Sequence, residues 1–143
     1  RGYFKGIGRI ERGMIYVDAS VALAEILSEN RRPSKPFWID SLVSSRLLEY
    51  EVWNRVQVRP HAADLAAATT TLLESIMLIE LSPRALERAK HPFPGFVRTL
   101  DAMHLATMEH LRGEGIPVTL AAYDKRLIEA ARGLGLRVWS ESN

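Results

Sequence analysis

Short apolar segments alternate with longer helical patterns along the chain, and this alternation limits the possible folds more than any other feature. We predict strands over residues 14–17, 42–45, 77–81, 117–123 and 136–139. Helices are predicted over residues 19–29, 47–58, 60–75, 83–91, 98–112 and 124–132. The first strand, MIYV, is a continuous apolar run, as expected of a strand buried on both faces. Because parallel strands need long crossovers, this order predicts an α/β fold, a single open sandwich with a five-stranded parallel sheet flanked by helices.

The composition agrees with one globular domain. The chain has 143 residues, of which 47% are hydrophobic and 25% charged, and this balance excludes a wholly disordered chain. There is no cysteine, which excludes disulfides and thiolate zinc sites and suits a reducing compartment. No apolar run approaches the roughly 18 residues that a membrane helix needs. We therefore expect a cytoplasmic protein that makes no membrane contact.

The basic character of the chain is concentrated at its start. Residues 1–13 carry four basic residues and one acidic residue, whereas the rest carries 15 basic and 16 acidic residues, a net charge of −1. The sequence opens on arginine, and a clean apolar strand begins only at Met14. We therefore interpret residues 1–13 as a cloning remnant or a non-native leader, and residues 14–143 as the functional domain.

Acidic residues occur where the predicted helices begin. Asp18 ends the first strand, Glu51 lies in the second turn of a helix, Asp101 lies in a first turn, and Asp124 follows the fourth strand. Ligands bind at the carboxyl edge of such sheets, and helical side chains lean towards the N-terminus. We therefore expect the four carboxylates to converge at that edge.

Each acid also has a purely structural interpretation. Asp18 and Asp124 suit helix N-caps, and Glu51 is spaced to pair with Arg55 one helical turn later. Asp101 lies in a helix that is apolar nearly all round, so its carboxylate needs a partner. Clustered carboxylates repel one another, and a divalent cation such as Mg²⁺ or Mn²⁺ removes that repulsion. Such an ion permits metal-assisted hydrolysis of a phosphodiester.

Four sequence blocks together resemble a known family. They are Tyr16-Val17-Asp18-Ala19-Ser20, Ser44-Ser45-Arg46-Leu47 with Glu51 and Arg55, Leu100-Asp101-Ala102-Met103-His104-Leu105-Ala106, and Tyr123-Asp124-Lys125-Arg126-Leu127 with Ala130-Ala131 and Gly135. In this order and spacing they resemble the PIN-domain ribonucleases, and among these the VapC-type toxins of toxin–antitoxin pairs. The likeness covers residues 14–139.

The resemblance implies an endoribonuclease with a Mg²⁺ or Mn²⁺ site. Asp18, Glu51, Asp101 and Asp124 become the metal-binding acids, and Ser20 becomes a hydrogen-bond donor behind them. The resemblance also implies a homodimer that a cognate antitoxin silences by entering the acidic groove. Many relatives have Ser or Thr where this chain has Ala122, which removes a polar group near the metal.

Several assignments remain open from the sequence. Glu49 is an alternative ligand if the register differs by two residues, although it falls on another helix face. Ala122 leaves open an impaired domain that only binds RNA or an antitoxin. Arg55 and His104 are candidates for positioning the acids, and we favour a packed or hydrogen-bonded role for His104 over that of a general base.

The remaining candidates concern RNA binding. Arg31, Arg32 and Lys35 are candidate contacts to an RNA backbone, although a solvated loop explains them equally well. Trp38, Tyr50 and Trp53 are more typical of core or dimer-interface positions than of base-stacking ones.

Overall fold

Five parallel strands form the centre of the chain in a computed structural model, which describes residues 13–141. The strands are β1 (Met14–Val17), β2 (Leu42–Ser45), β3 (Met77–Ile79), β4 (Val118–Ala121) and β5 (Arg137–Val138). The helices are α1 (Ala19–Ile26), α2 (Leu47–Gln57), α3 (Ala62–Glu74), α4 (Pro83–Arg88), α5 (Thr99–Gly113) and α6 (Lys125–Gly133), with a 3-10 helix at Lys35–Ile39. The predicted α/β fold is confirmed. The interpretation of residues 1–13 as a leader falls, apart from Gly13, outside the described residues.

The strand order creates a crevice beside β1. The sheet has the order β3-β2-β1-β4-β5, and every neighbouring pair is parallel. The chain builds β2 and β3 on one side of β1 and then returns to place β4 and β5 on the other side. Strand order therefore reverses between β1 and β4, where Val17 pairs with Ala121. Open α/β sheets bind ligands at the carboxyl end of such a switch point.

Both faces of the sheet are covered, which explains the continuous apolar strands. Val17, Leu42 and Ala121 belong to a core cluster with residues of α1, α2 and α3. Tyr16 and Leu120, their neighbours in sequence, belong to a second cluster with residues of α5 and α6. Because successive side chains of a strand point to opposite faces, β1, β2 and β4 each contribute to both clusters.

The predicted boundaries needed correction at several ends. Helix α1 ends at Ile26, three residues early, since Ser28 adopts a positive φ of 53°. Helix α3 begins at Ala62 and not at Pro60, because His61 between them has a φ of 60°. Helix α4 ends at Arg88, shortly before Pro92, and the 3-10 helix was not predicted. Strands β3, β4 and β5 are each shorter than predicted.

No helix within residues 13–141 combines the length and apolarity needed to cross a bilayer.

The segment joining α4 to α5 is held firmly against the protein. The guanidinium of Arg88 donates to the carbonyls of His91 and Pro92, at 3.3 and 3.2 Å, and lies 3.9 Å from the ring centre of Phe93. The same guanidinium donates to Glu109 Oε1 on α5 at 2.7 Å. Gly133 at the end of α6 approaches Pro94 so closely that an added Cβ would lie 2.6 Å from the Pro94 Cβ. This segment therefore has a fixed path across α5 and α6.

The close approach of Gly133 to Pro94 predicts a position-specific cost. We expect Gly133→Ala to lower the free energy of unfolding by about 1–3 kcal/mol, because the new methyl group forces the segment away from α6. Gly113→Ala is a matched control, since Gly113 also ends a helix and an added Cβ there meets nothing within 4 Å. The control is expected to be neutral or slightly stabilising. Urea unfolding of both variants measures the difference, and equal stabilities would contradict the packing argument.

Candidate active site

Asp18 lies at the carboxyl end of the central strand and is almost completely buried, with 7% of its surface exposed. It is the N-cap of α1: its Oδ2 accepts the Ser20 backbone N–H at 3.1 Å and the Ser20 hydroxyl at 2.6 Å. The Ser20 Oγ in turn accepts the backbone N–H of Tyr123 at 2.9 Å. Burial raises the pKa of Asp18 above its usual range, although the bonds from Ser20 oppose the rise. The predicted capping role of Asp18 is confirmed, and the Ser20 hydroxyl donates a hydrogen bond to it.

Asp124 and Asp101 begin the two helices on the other side of the crevice. Asp124 is the N-cap of α6, and its Oδ1 accepts the backbone N–H groups of Arg126 and Leu127 at 3.0 and 3.3 Å. Asp101 lies in the first turn of α5, with a backbone hydrogen bond at Arg98. Burial and the charge of Asp124 raise the pKa of Asp101. The negative charges of Asp101 and Asp124 therefore repel each other.

Glu51 reaches the same edge from α2 through a contact that the sequence did not reveal. Its Oε1 lies 2.6 Å from Nε2 of His104, a side chain that is only 1% exposed. The other ring nitrogen, Nδ1, lies 2.7 Å from the hydroxyl of Tyr16, which also accepts the Ser45 backbone N–H at 3.2 Å. Burial opposes a charged His104, but Glu51, Asp18 and Asp101 outweigh it, and the pKa of His104 is raised.

His104 is thus a buried hydrogen-bonded side chain, as favoured from the sequence. Tyr16 was missed as a functional residue, because its position within an apolar strand indicates only core packing. Its hydroxyl nonetheless fixes one nitrogen of His104, while the imidazole fixes one oxygen of Glu51. A chain of hydrogen bonds therefore runs from the central strand to the Glu51 carboxylate.

The four acids interact electrostatically, but they do not form a closed metal cage. The charge of Glu51 raises the pKa of both Asp18 and Asp101, and Asp124 raises that of Asp101. Within residues 13–141 no group of three or more His, Asp or Glu side chains is arranged so as to hold an ion. Oxygen donors of this kind suit Mg²⁺ or Mn²⁺, and Mg²⁺ uses one or two carboxylates while keeping several waters. The donor chemistry therefore fits a hydrated ion.

The alternatives for the second helix are distinguished by ion pairs. Arg46 binds Glu49 at 3.2 Å and also Glu80 at 2.9 Å, so Glu49 is engaged in a surface cluster. The purely structural alternative, in which Glu51 pairs with Arg55, is wrong: among the ion pairs of residues 13–141, Glu51 contacts His104 and none includes the exposed Arg55. Arg55 therefore has no visible part in orienting the acid.

The candidate RNA contacts are spread over different parts of the surface. The guanidinium of Arg31 lies over the ring of Tyr123, 4.3 Å from the ring centre. Tyr123 directly precedes Asp124 in the sequence. Arg32 is exposed, whereas Lys35 lines a separate groove with Trp38 between α1 and α3. Of the three basic residues, Arg31 is the one that contacts a residue adjacent in sequence to a site acid.

The aromatic candidates and Ala122 have more ordinary environments. Trp38 and Trp53 pack against the first core cluster, as expected, whereas Tyr50 is 61% exposed and the core interpretation is wrong for it. Ala122 is buried in the second cluster, one residue before the backbone N–H that binds Ser20. The consequence of lacking a hydroxyl at Ala122 stays a prediction.

Comparison with known proteins gives a consistent family. The sequence model of the PIN domain matches residues 15–133. Ribonuclease VapC46 of Mycobacterium tuberculosis is 35% identical over 101 residues, which cover 70% of this chain and 74% of the relative. Ribonuclease VapC35 of the same species is 32% identical over 132 residues, covering 87% of this chain and 95% of the relative.

Solved structures share the fold. The crystal structure of PAE2754 from Pyrobaculum aerophilum has a TM-score of 0.57 and 21% identity, covering 85% of this chain and 81% of that one. Mycobacterium tuberculosis VapC20, described as a toxin that cleaves the sarcin-ricin loop, has a TM-score of 0.62 and 19% identity, covering 81% and 94%. With the family match over most of its length, the chain belongs to the PIN-domain family and, within it, to the VapC ribonucleases.

Proposed function

We propose that the chain is a Mg²⁺- or Mn²⁺-dependent endoribonuclease, the toxin of a toxin–antitoxin pair, which hydrolyses RNA phosphodiesters with a metal-activated water. The observation that carries the proposal is the electrostatic coupling of Asp18, Glu51, Asp101 and Asp124, which come from four separate parts of the chain. Such mutual repulsion destabilises a fold, and it persists where the site needs a cation. The ribonuclease relatives support the same reading.

The proposed roles follow from the contacts of each acid. Asp18, Asp101 and Asp124, with Glu51, would hold the ion, which when bound supplies a water of lowered pKa and neutralises charge on the phosphodiester. Ser20 orients Asp18 through Oδ2, and His104 orients Glu51 through Oε1. Helices α1, α5 and α6 all begin at this edge, so the positive ends of their dipoles favour an approaching phosphate.

The partners are proposals as well. An RNA strand that follows the edge would pass Arg31 and its exposed neighbour Arg32, while Lys35 lies on a separate groove. We further propose a cytoplasmic homodimer that is silenced by a cognate antitoxin protein. The exposed Tyr50 is a candidate for the dimer contact.

Metal-dependent cleavage is the direct test. Purified protein is expected to cut a structured RNA with Mg²⁺ or Mn²⁺, to stop when EDTA is added, and to lose at least about a hundredfold in rate on Asp101→Asn. Asp64→Asn is the matched control, because Asp64 is an acid in the first turn of α3 whose side chain is 82% exposed, and its rate should be unchanged.

Two outcomes would contradict the proposal. Equal cleavage by the parent and by Asp101→Asn would remove Asp101 from the site. Binding of RNA or of an antitoxin without cleavage, at any concentration of either metal, would favour an impaired binding domain, the alternative that Ala122 leaves open.

A further inference from the structure

Phe96 is held out into solvent by a segment that is otherwise firmly attached. It is 76% exposed, while Phe93 and Val97 on either side pack against the second core cluster. Gly95 between them has a φ of 74°, a conformation that is available at little cost mainly to glycine. The Arg88 bonds and the Gly133–Pro94 contact fix the same segment. The exposed ring therefore projects from a segment whose neighbouring residues are held by packing and hydrogen bonds.

Two arginines that form no ion pair within residues 13–141 lie near this ring. The guanidinium of Arg126 lies over it, 5.8 Å from the ring centre, within the range of a cation–π contact. Phe96 and Arg98 both line a groove with a volume of about 560 Å³. Lys90 and His91, also at the groove, are paired with Glu87, whereas no ion pair in the part of the chain that the structure describes includes Arg98 or Arg126. Two guanidinium groups are therefore available for an anionic partner.

The groove adjoins the acidic edge. Arg126 donates its backbone N–H to Asp124, and Arg98 is the N-cap of α5, three residues before Asp101. The exposed ring and its two arginines thus lie beside the Asp101–Asp124 pair. A polyanion positioned by these arginines would place its backbone close to those two carboxylates.

We propose that Phe96 is a stacking platform for one unpaired nucleobase of the RNA substrate, with Arg98 and Arg126 contacting the flanking phosphates. The inference rests on the proposed function and assigns Phe96 a contact to the substrate beside the proposed site. Aromatic rings beside cationic groups bind single strands in this way without reading sequence, because every base has a π-face. The free arginines favour RNA over an apolar protein segment, which would leave both charges unused.

Binding to a short fluorescein-labelled single-stranded oligoribonucleotide tests the stacking role. The assay uses anisotropy with EDTA in the Asp101→Asn background, so that no cleavage is needed. Phe96→Ala is expected to weaken binding about tenfold and Phe96→Leu nearly as much, whereas Phe96→Tyr stays within about twofold. An abasic oligonucleotide of the same length should bind all these variants equally. Val58→Ala is the control and should leave binding unchanged, because Val58 lies just after the C-terminal end of α2 and is 79% exposed.

The arginines have an independent readout. Arg98→Gln and Arg126→Gln are each expected to reduce the dependence of log K on log salt by about 0.7, one phosphate contact on a single strand. In the parent enzyme Phe96→Ala should raise KM for RNA and leave kcat unchanged.

The possible failures are distinguishable. Full RNA affinity in Phe96→Leu would overturn the stacking proposal. Unchanged RNA affinity in Phe96→Ala, together with a weaker antitoxin affinity, would also overturn it and would make the groove a protein-binding surface. Normal metal-dependent cleavage with an unchanged KM in Phe96→Ala would overturn it while the nuclease stands. If no RNA is cleaved, the anisotropy series still decides the role of Phe96.

Discussion

Asp18→Asn is expected to remove at least about a hundredfold of the cleavage rate and at the same time to raise the melting temperature. Asparagine caps a helix about as well as aspartate, so the Ser20 contacts to the side chain are retained. What the substitution removes is a negative charge in a nearly dry position beside Glu51. The two readouts should therefore move in opposite directions.

The expected gain in stability follows from the raised pKa of Asp18. A group whose folded pKa lies above its unfolded value of 3.8 stabilises the fold fully below that pH and loses this contribution as pH rises through the folded pKa. Burial thus disfavours the charged form of Asp18 in the fold, a cost that asparagine does not carry. Thermal unfolding at neutral pH, paired with RNA cleavage, measures both effects. A lower melting temperature with normal cleavage would show that Asp18 acts only as a cap.

His104→Ala is expected to lower the free energy of unfolding by about 3 kcal/mol. The substitution leaves a cavity in a fully buried position and removes the partner of both the Tyr16 hydroxyl and the Glu51 carboxylate. Because Glu51 also loses its orientation, cleavage should fall. Urea unfolding measures the change, and His110→Ala, six residues later on α5 and half-buried, is the control expected to stay within about 0.5 kcal/mol.

The pH dependence of that difference is a second readout. Since the folded pKa of His104 is raised, its contribution to stability is fully present below its unfolded value of 6.5 and is lost as pH rises through the folded pKa. The parent should therefore lose stability with rising pH in this window, and His104→Ala should lack that loss. Parallel stability curves for the two proteins would argue against a charged His104.

The parallel sheet could be predicted from the sequence because each strand is marked by a local apolar pattern. The run MIYV and the spacing of strands and helices predict buried parallel strands whatever the side-chain detail. Asp18 and Asp124 were placed correctly as caps, since capping depends on residues two or three positions away. The ends of α1 and α3 were misplaced because Ser28 and His61 adopt left-handed conformations that their residue types rarely signal.

Contacts between residues far apart in the sequence leave no local pattern from which they could be predicted. The Glu51–His104 bond joins residues 53 positions apart, whereas the sequence offered only Arg55 as a local partner of Glu51. Tyr16 is 88 positions from His104, and nothing in an apolar strand indicates that its hydroxyl has a polar partner. Phe96 likewise appears as one more aromatic residue until the structure shows its neighbours packed and its own ring outside.

Each site carboxylate already has a donor supplied by the chain itself. Ser20 serves Asp18, backbone N–H groups serve Asp124, a backbone bond at Arg98 serves Asp101, and His104 serves Glu51. The edge can therefore assemble during folding without an ion, and under the proposed function metal binding would follow folding. Such a chain would fold first and would become active only when a divalent ion binds.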